Sequence, residues 1–213
     1  MDELDLLKKD WKKNGDKYPK VSEKEIYAML HKKSSSIVKW ILIISILEFI
    51  FWVGLTFLLK DSPSSKKLET FNIDHITIPL TIGSYLIIGY FTYLFYMNYR
   101  KITTTDNVKN LMSNILRTRK TVSSYIYVNL AYFIITSAII LIITFNKDGD
   151  MISLVNKMEA QGKAGMVYLI YILGAIIIIG LLVLLIWLFY RVIYGLLLKR
   201  LLRNYNELKK IDF

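Results

Sequence analysis

The sequence predicts an all-α membrane protein, a four-transmembrane-helix bundle with amphipathic cytoplasmic helices. Three observations support this prediction: 54% of the 213 residues are hydrophobic, the apolar residues fall into four separate blocks, and the basic residues are concentrated in alternate polar segments. Such blocks exclude an ordinary water-soluble domain, because a soluble fold distributes its apolar residues with the period of each element.

The four apolar blocks are residues 40–59, 76–96, 125–145 and 166–190, with lengths of 20, 21, 21 and 25 residues. A helix of about 20 apolar residues crosses a hydrocarbon core roughly 30 Å thick. Strands are excluded, since four of them cannot close a barrel and the bilayer offers no water to unpaired backbone groups. The polar, charged residues before the first block do not form a cleavable signal peptide, so we expect that block to remain as a span.

Charge divides the polar segments into two sets. Basic residues outnumber acidic ones by 10 to 7 in residues 1–39, by 6 to 1 in 97–124 and by 6 to 2 in 191–213, whereas 60–75 and 146–165 carry three of each. Short basic segments stay in the cytoplasm, which predicts that both termini and the central loop are cytoplasmic. The same excess predicts attraction to the anionic headgroups of the lipid bilayer. No nucleic-acid partner is predicted, because no recognition motif accompanies the charge.

Residues 1–36 are predicted to form cytoplasmic N-terminal amphipathic helices. Ser22 and Glu25 form a capping box, so a helix should begin at Ser22 and run without interruption into the first span. Its apolar face consists of Ile26, Met29 and Leu30. A shorter amphipathic segment upstream carries Leu4, Leu7 and Trp11.

The remaining residues, 37–213, are predicted to form the transmembrane domain, with helical structure in both of its basic segments. In the central loop, 97–124, apolar residues recur at helical spacing, which predicts a helix and not a flexible linker. These residues are Val108, Leu111, Met112, Ile115 and Leu116. The segment 191–213 is predicted to continue the last span as a cytoplasmic helix. We expect the apolar faces to bind a cytoplasmic protein or a second copy of the chain, through Leu4, Leu7, Trp11, Ile26, Met29, Leu30, Leu111, Met112 and Ile115.

Glu48 is the one acidic or basic side chain in the interior of any apolar block. Comparable residues cost about 2.5–3.5 kcal/mol on insertion scales, so its side chain should face the bundle or a cavity. Ser45, Ser84 and Thr136 lie at similar depth, and Ser84 or Thr136 is the predicted hydrogen-bond partner. Two interpretations remain open: a neutral, hydrogen-bonded structural residue, or a site for a proton, an ion or a partner.

Other chemistry is sparse in this sequence. The absence of cysteine excludes thiolate catalysis and Cys-ligated metals. The two histidines, His31 and His75, are predicted on opposite sides of the membrane and cannot share a metal or a haem. Since nucleotide-binding and hydrolase motifs are also missing, we predict no catalytic residue, no cofactor and no metal site, and therefore no enzyme.

Three segments carry a resemblance to a known group: residues 5–12 (DLLKKDWK), 25–30 (EIYAML) and 33–40 (KSSSIVKW). They resemble uncharacterised small four-span bacterial membrane proteins, which implies a multi-pass location in the bacterial cytoplasmic (inner) membrane. Some members carry the label of carotenoid-cleaving oxygenase. Those oxygenases bind iron with four histidines, and this chain has only two, so we reject that activity. The group also resembles accessory proteins encoded near alternative sigma factors, which implies a transcription-linked partner.

The predicted function is therefore a non-enzymatic membrane anchor or regulatory scaffold that engages a cytoplasmic partner or itself. The alternative is a small transporter or channel subunit that uses Glu48. Placing residue 35 on residue 123 aligns serine pairs at the start of each half and Thr-Phe pairs further along. A duplicated helical unit is one explanation of that alignment, and chance similarity of apolar segments is the other.

Overall fold

The structure is a computed structural model that describes residues 22–105 and 107–210, so the predictions for Leu4, Leu7 and Trp11 lie outside the described residues. Within that part the chain forms six helices and no strand. They are α1 (Glu23–Leu59), α2 (Pro63–Glu69), α3 (Asp74–Thr103), α4 (Val108–Lys147), α5 (Gly149–Glu159) and α6 (Ala164–Lys209). The helices α1, α3, α4 and α6 are long and apolar enough to cross a membrane. The all-helical fold with four candidate spans is therefore confirmed.

The four long helices form a bundle in which each lies beside two neighbours. α1 and α4 each pack against both α3 and α6, and the short helix α5 rests on α4 and α6. Within the described residues, each half of the chain has the same element order, a long helix, a short helix and a long helix. This order agrees with the alignment of the two halves, and it brings the ends of the described chain to one end of the bundle, here called the basic end. The opposite end, which carries α2 and α5, is called the loop end.

Three of the four long helices extend well beyond the thickness of a bilayer. α1, α4 and α6 contain 37, 40 and 46 residues, or roughly 55, 60 and 69 Å at about 1.5 Å per residue. The extra length lies at the basic end, where α3 ends at Thr103 and α4 begins at Val108. The Asn107 side chain caps α4, because its Oδ1 accepts a hydrogen bond from the Lys109 amide at 2.9 Å. Helical structure in 97–124 and 191–213 is thus confirmed, apart from the short turn and the undescribed residues.

The predicted start of α1 is confirmed. The Ser22 amide donates to Glu25 Oε2 at 2.9 Å, and the Glu25 amide donates to Ser22 Oγ at 3.3 Å, which completes the capping box. These bonds satisfy two of the amides that a helix leaves unpaired at its first turn. From there α1 continues through the serines at 34–36 into the first span, as predicted.

At the basic end the apolar faces of all four long helices pack on one another. Leu111 and Ile115 of α4 are completely buried, and Leu30 of α1 is 3% exposed. We call their cluster the terminal cluster; it comprises Leu30, Val38, Ile102, Leu111, Ile115, Leu201 and Leu208. Ile26 and Met112 are partly buried against it, and only Met29 of the described partner-facing candidates is largely exposed, at 47%.

This packing corrects the expectation that Leu30, Leu111 and Ile115 face a partner. Four amphipathic helices that project side by side can remove their apolar faces from water within one chain, at about 25 cal/mol for each Å² of apolar surface buried. The sequence pattern identifies which face is buried, but it does not say whether the covering surface belongs to the same chain.

Two buried asparagines join the halves of the bundle. Asn204 Nδ2 of α6 donates to Ser34 Oγ of α1 at 3.1 Å, and Asn98 Nδ2 of α3 donates to Thr121 Oγ1 of α4 at 3.2 Å. Asn204 and Ser34 are almost fully buried. A buried polar pair of this kind favours one register of two helices, since a shift would leave both groups without a partner.

At the loop end, a lysine connects the two polar segments 60–75 and 146–165, for which the sequence analysis predicts no helix. Lys67 Nζ of α2 lies 2.7 Å from Asp148 and 3.6 Å from Asp150, at the start of α5. The Lys67 ammonium lowers the pKa of Asp148, and the Asp148 carboxylate raises the pKa of Lys67. Local signals for both short helices are present in the sequence: Ser62 caps α2 with Pro63 in its first turn, and Asp148 caps α5.

We expect the Lys67→Gln variant to lose a stability contribution that depends on pH. Because the pKa of Asp148 is lowered in the folded chain, its pairing is present above the ordinary carboxyl value of 3.8 and is lost as the pH falls below it. The melting temperature of Lys67→Gln should therefore lie below that of the wild type at pH 6, and the two should converge at pH 3. Lys66, the exposed neighbour with no acidic partner among the described residues, provides the control. An equal loss in Lys66→Gln would assign the effect to net charge instead of the ion pair.

Candidate intramembrane site around Glu48

The Glu48 side chain points from α1 into the bundle, where it meets tyrosines of two other helices. It lies nine residues beyond Lys39, or roughly 14 Å along the helix axis. The Tyr190 hydroxyl donates a hydrogen bond to Glu48 Oε1, and the Tyr194 hydroxyl donates to Oε2 at 3.4 Å. Tyr125 of α4 lies beside the same carboxyl group, and its buried hydroxyl has no hydrogen-bond partner among the described residues. Three phenol hydroxyls therefore surround one carboxyl group.

The predicted partners of Glu48 are instead bonded within their own helices, which corrects the sequence-based expectation. The Ser84 and Thr136 hydroxyls donate to the carbonyls of Thr81 and Tyr132 at 2.7 and 2.9 Å. Ser45, which lies one turn before Glu48, likewise donates to the Leu42 carbonyl at 2.9 Å. A helical Ser or Thr reaches the carbonyl three or four residues earlier without moving, whereas contact with another helix requires a longer side chain.

Tyrosine side chains are long enough to reach Glu48 from another helix, and the sequence analysis does not predict them as its hydrogen-bond partners. Tyr190 and Tyr194 lie at and just beyond the end of the last apolar block, where aromatic residues ordinarily form an interfacial belt. Their spacing of four residues places both on one helix face. That spacing was the available signal, but only the bundle geometry shows that this face meets α1.

Between Glu48 and the basic end, aromatic side chains fill the bundle. The Tyr125 ring is completely buried, with its centroid 5.3 to 6.0 Å from the rings of Phe91, Phe95, Tyr190 and Tyr194. We call this group, with Ile41 and Val122, the aromatic cluster. Edge-to-face contacts of this kind are each worth about 0.5–1.5 kcal/mol beyond their buried area. The aromatic cluster closes the bundle on this side of Glu48.

On the loop-end side of Glu48 lies a cavity of about 380 Å³. Its walls come mainly from α1, α3 and α4, and Tyr190 of α6 forms part of its floor. Ser84 and Thr136 both line it, so the structure does bring these two predicted residues to one site. Glu48 itself lies directly behind the floor, hydrogen-bonded to Tyr190. Ser45 lies elsewhere, buried one turn before Glu48.

Gly83 lies against Tyr132, one of the residues that line this cavity. A methyl group at Gly83 would collide with the hydroxyl of Tyr132, which donates to the Leu80 carbonyl at 2.6 Å. We expect Gly83→Ala to displace that hydroxyl and to cost about 1–2 kcal/mol of stability, the price of one buried hydrogen bond. Gly89→Ala is the matched control, because nothing among the described residues lies within 4 Å of its added methyl group. Thermal melting of both variants tests this, and equal melting temperatures would contradict the assignment.

The two histidines do not contribute to the site. His31 Nε2 bonds the Ile102 carbonyl at 2.7 Å at the basic end, whereas His75 lies in the first turn of α3 at the loop end. Across residues 22–105 and 107–210, no group of three or more His, Asp or Glu side chains is placed to hold a metal ion.

Four candidate spans around a polar interior site define the class of protein: a multi-pass α-helical membrane protein. Within that class, the chain belongs to the family described as a domain of unknown function, DUF8845, whose model matches residues 24–213. This membership agrees with the resemblance to an uncharacterised family. Comparisons with curated proteins and with solved structures gave no match.

Proposed function

We propose that this chain is a small transporter or channel subunit of a bacterial cytoplasmic membrane. In this proposal the basic end and both termini face the cytoplasm, as the charge asymmetry favours, and the cavity faces the external side. One observation carries the proposal: the sole acidic or basic side chain inside the apolar blocks is hydrogen-bonded to the floor of a cavity whose walls carry several hydroxyl groups. An acidic group at such depth is costly, and in membrane proteins it commonly marks an ion or solute path.

The geometry also supports a sequence of events for transport. A solute enters the cavity and meets the Tyr190 hydroxyl, whose proton is directed at Glu48. Passage toward the cytoplasm then requires the aromatic cluster to separate, since the buried rings of Tyr125 and Tyr194 close that side. In this proposal the bundle as it stands is the form closed on the cytoplasmic side, and Glu48 would couple the two sides by exchanging its hydrogen-bond partners.

Flux in reconstituted vesicles tests this function. Under imposed proton and cation gradients, we expect Glu48→Gln to abolish the flux of the wild type while the melting temperature changes little. The amide oxygen of glutamine can still accept the Tyr190 hydrogen bond, so the fold should persist. Glu69→Gln, at an exposed position of α2, is the control that should retain flux. Wild-type flux that Glu48→Gln leaves unchanged would refute the proposal.

A second candidate function is a membrane anchor or regulator that binds a cytoplasmic protein, a second copy or anionic lipid. It is favoured by exposed apolar residues beside basic ones at the basic end, among them Met29, Leu116 and Leu196, which are 47%, 43% and 58% exposed. If this surface holds a partner, Met29→Lys and Leu116→Lys should release that partner during purification in mild detergent and leave the melting temperature unchanged.

A further inference from the structure

We infer that the cavity takes a small organic cation with hydrogen-bond donors, of the protonated-amine or ammonium class. This inference rests on the proposed function and adds the chemical class of the solute. It follows from three features of the cavity: the donors that its walls have already used, the charges near it, and its size.

The hydroxyl groups of the wall have no free protons to offer. The hydroxyls of Thr81, Ser84, Thr136 and Tyr132 each donate to a backbone carbonyl, at distances of 2.6 to 2.9 Å. A hydroxyl has one proton and two lone pairs. Each of these groups can therefore only accept a hydrogen bond from a bound solute.

The other polar groups of the wall also offer mainly acceptors to a bound solute. Thr56 donates to the Trp52 carbonyl at 3.0 Å, so its 2.9 Å bond to Tyr85 uses the tyrosine proton. Asn129 Nδ2 donates to the Tyr125 carbonyl at 2.9 Å, which leaves Oδ1 and one N–H. The wall thus presents many acceptors and few donors, which suits a solute that donates.

The charges near the cavity favour a cation over an anion. Glu48 lies behind Tyr190, and of the residues that the structure describes, none that lines the cavity is Lys, Arg or His. Arg191, which follows Tyr190, is exposed and places its guanidinium 4.9 Å from the Trp187 ring centre, away from the cavity. In a medium of low dielectric constant, a nearby carboxylate attracts a cation and repels an anion strongly. Aromatic rings in the wall, among them Trp52 and Phe133, add further attraction for a cation.

The size of the cavity favours an organic cation over a bare metal ion. A cavity of about 380 Å³ is within the ordinary range of small-molecule sites, roughly 300–1,000 Å³. A metal ion would need several oxygen ligands at about 2.0–2.6 Å, which requires converging side chains and not an open space. The cavity instead has room for an ammonium group with its carbon substituents.

Thiol labelling can measure this preference directly, because the chain has no cysteine of its own. Ser84→Cys and Thr136→Cys place single thiols on two walls of the cavity. Their reaction rates would be measured with a trimethylammonium-bearing and a sulfonate-bearing methanethiosulfonate of equal size. We expect the cation-to-anion rate ratio to exceed the ratio at exposed Ser64→Cys at least about tenfold, the effect of a unit charge about 10 Å away at an effective dielectric constant of about 20.

Two further results complete the test. Glu48→Gln should bring the ratio in the cavity close to that at Ser64→Cys, and methylammonium chloride, whose cation carries three N–H donors, should slow the labelling more than sodium chloride at equal concentration. Similar rates for both reagents, whatever residue occupies position 48, would overturn the cation assignment while the cavity remains accessible. If neither thiol reacts from either side, solute does not reach the cavity, and the proposed function fails together with the inference.

Discussion

Replacing Ile115 by lysine is expected to unfold the basic end of the bundle, whereas the same change at its neighbour Leu116 should leave it folded. Ile115 is completely buried in the terminal cluster, and Leu116 is 43% exposed. A lysine at position 115 would place an unpaired charge among apolar side chains of all four long helices. We expect a loss of more than about 4 kcal/mol, a large share of the 5–15 kcal/mol that stabilises a typical domain.

Thermal melting in detergent, with protease sensitivity of the segment 191–209, provides the measurement. The milder Ile115→Ala should cost about 2–5 kcal/mol, the usual range for truncating a buried side chain of this size. The opposite outcome would support the prediction from the sequence that this apolar face binds a partner. If Ile115→Lys remains as stable as the wild type and releases a bound protein, the residue faces a partner and not the terminal cluster.

Tyr190→Phe is expected to lower Glu48-dependent flux about ten- to a hundredfold, while Tyr194→Phe retains most of it. Both hydroxyls donate to Glu48, but only Tyr190 lines the cavity, and the Tyr194 bond is long at 3.4 Å. Phenylalanine keeps the ring and its contacts in the aromatic cluster, so only the hydroxyl is lost. A hydrogen bond to a charged group contributes about 1.5–3 kcal/mol, which corresponds to the expected change in rate.

The two variants also separate two roles for the tyrosines. The cation-to-anion labelling ratio at Ser84→Cys should fall in Tyr190→Phe and stay near the wild-type value in Tyr194→Phe. Equal losses in both variants, with lowered melting temperatures, would mean that the hydroxyls hold the bundle together and do not conduct solute to Glu48.

Local signals in the sequence predict much of the fold. The start of α1 follows from Ser22 and Glu25, because a capping box involves only neighbouring residues. The spans follow from the length of each apolar block, since the bilayer permits few alternatives. The short helices α2 and α5 were missed, although Ser62 and Asp148 cap them. In α5 the apolar residues Met151, Val155 and Met158 also recur at helical spacing, so a local signal was available, whereas α2 has only 7 residues.

Contacts between distant residues are harder to predict from the sequence. Glu48 could be identified because one acidic residue in an apolar block is exceptional. Its hydrogen-bond partners could not be predicted, because the depth of a residue along a helix does not give the direction in which its side chain points. Ser84 and Thr136 lie at a similar depth, but their hydroxyls donate to carbonyls of their own helices. The same limit applies to Leu111, whose periodicity predicts a buried face but not that Leu201 and Leu208 lie in the same cluster.

The proposed transport requires that the cavity be open to the external side of the membrane. Single-cysteine labelling of sealed cells with a membrane-impermeant maleimide tests this, with Ser84→Cys in the cavity, Ser64→Cys on α2 and Ser113→Cys at the basic end. We expect Ser84→Cys and Ser64→Cys to react in intact cells, and Ser113→Cys to react only after the membrane is permeabilised. Labelling of Ser113→Cys in intact cells, or of Ser84→Cys only after permeabilisation, would contradict the orientation and the path from outside to Glu48.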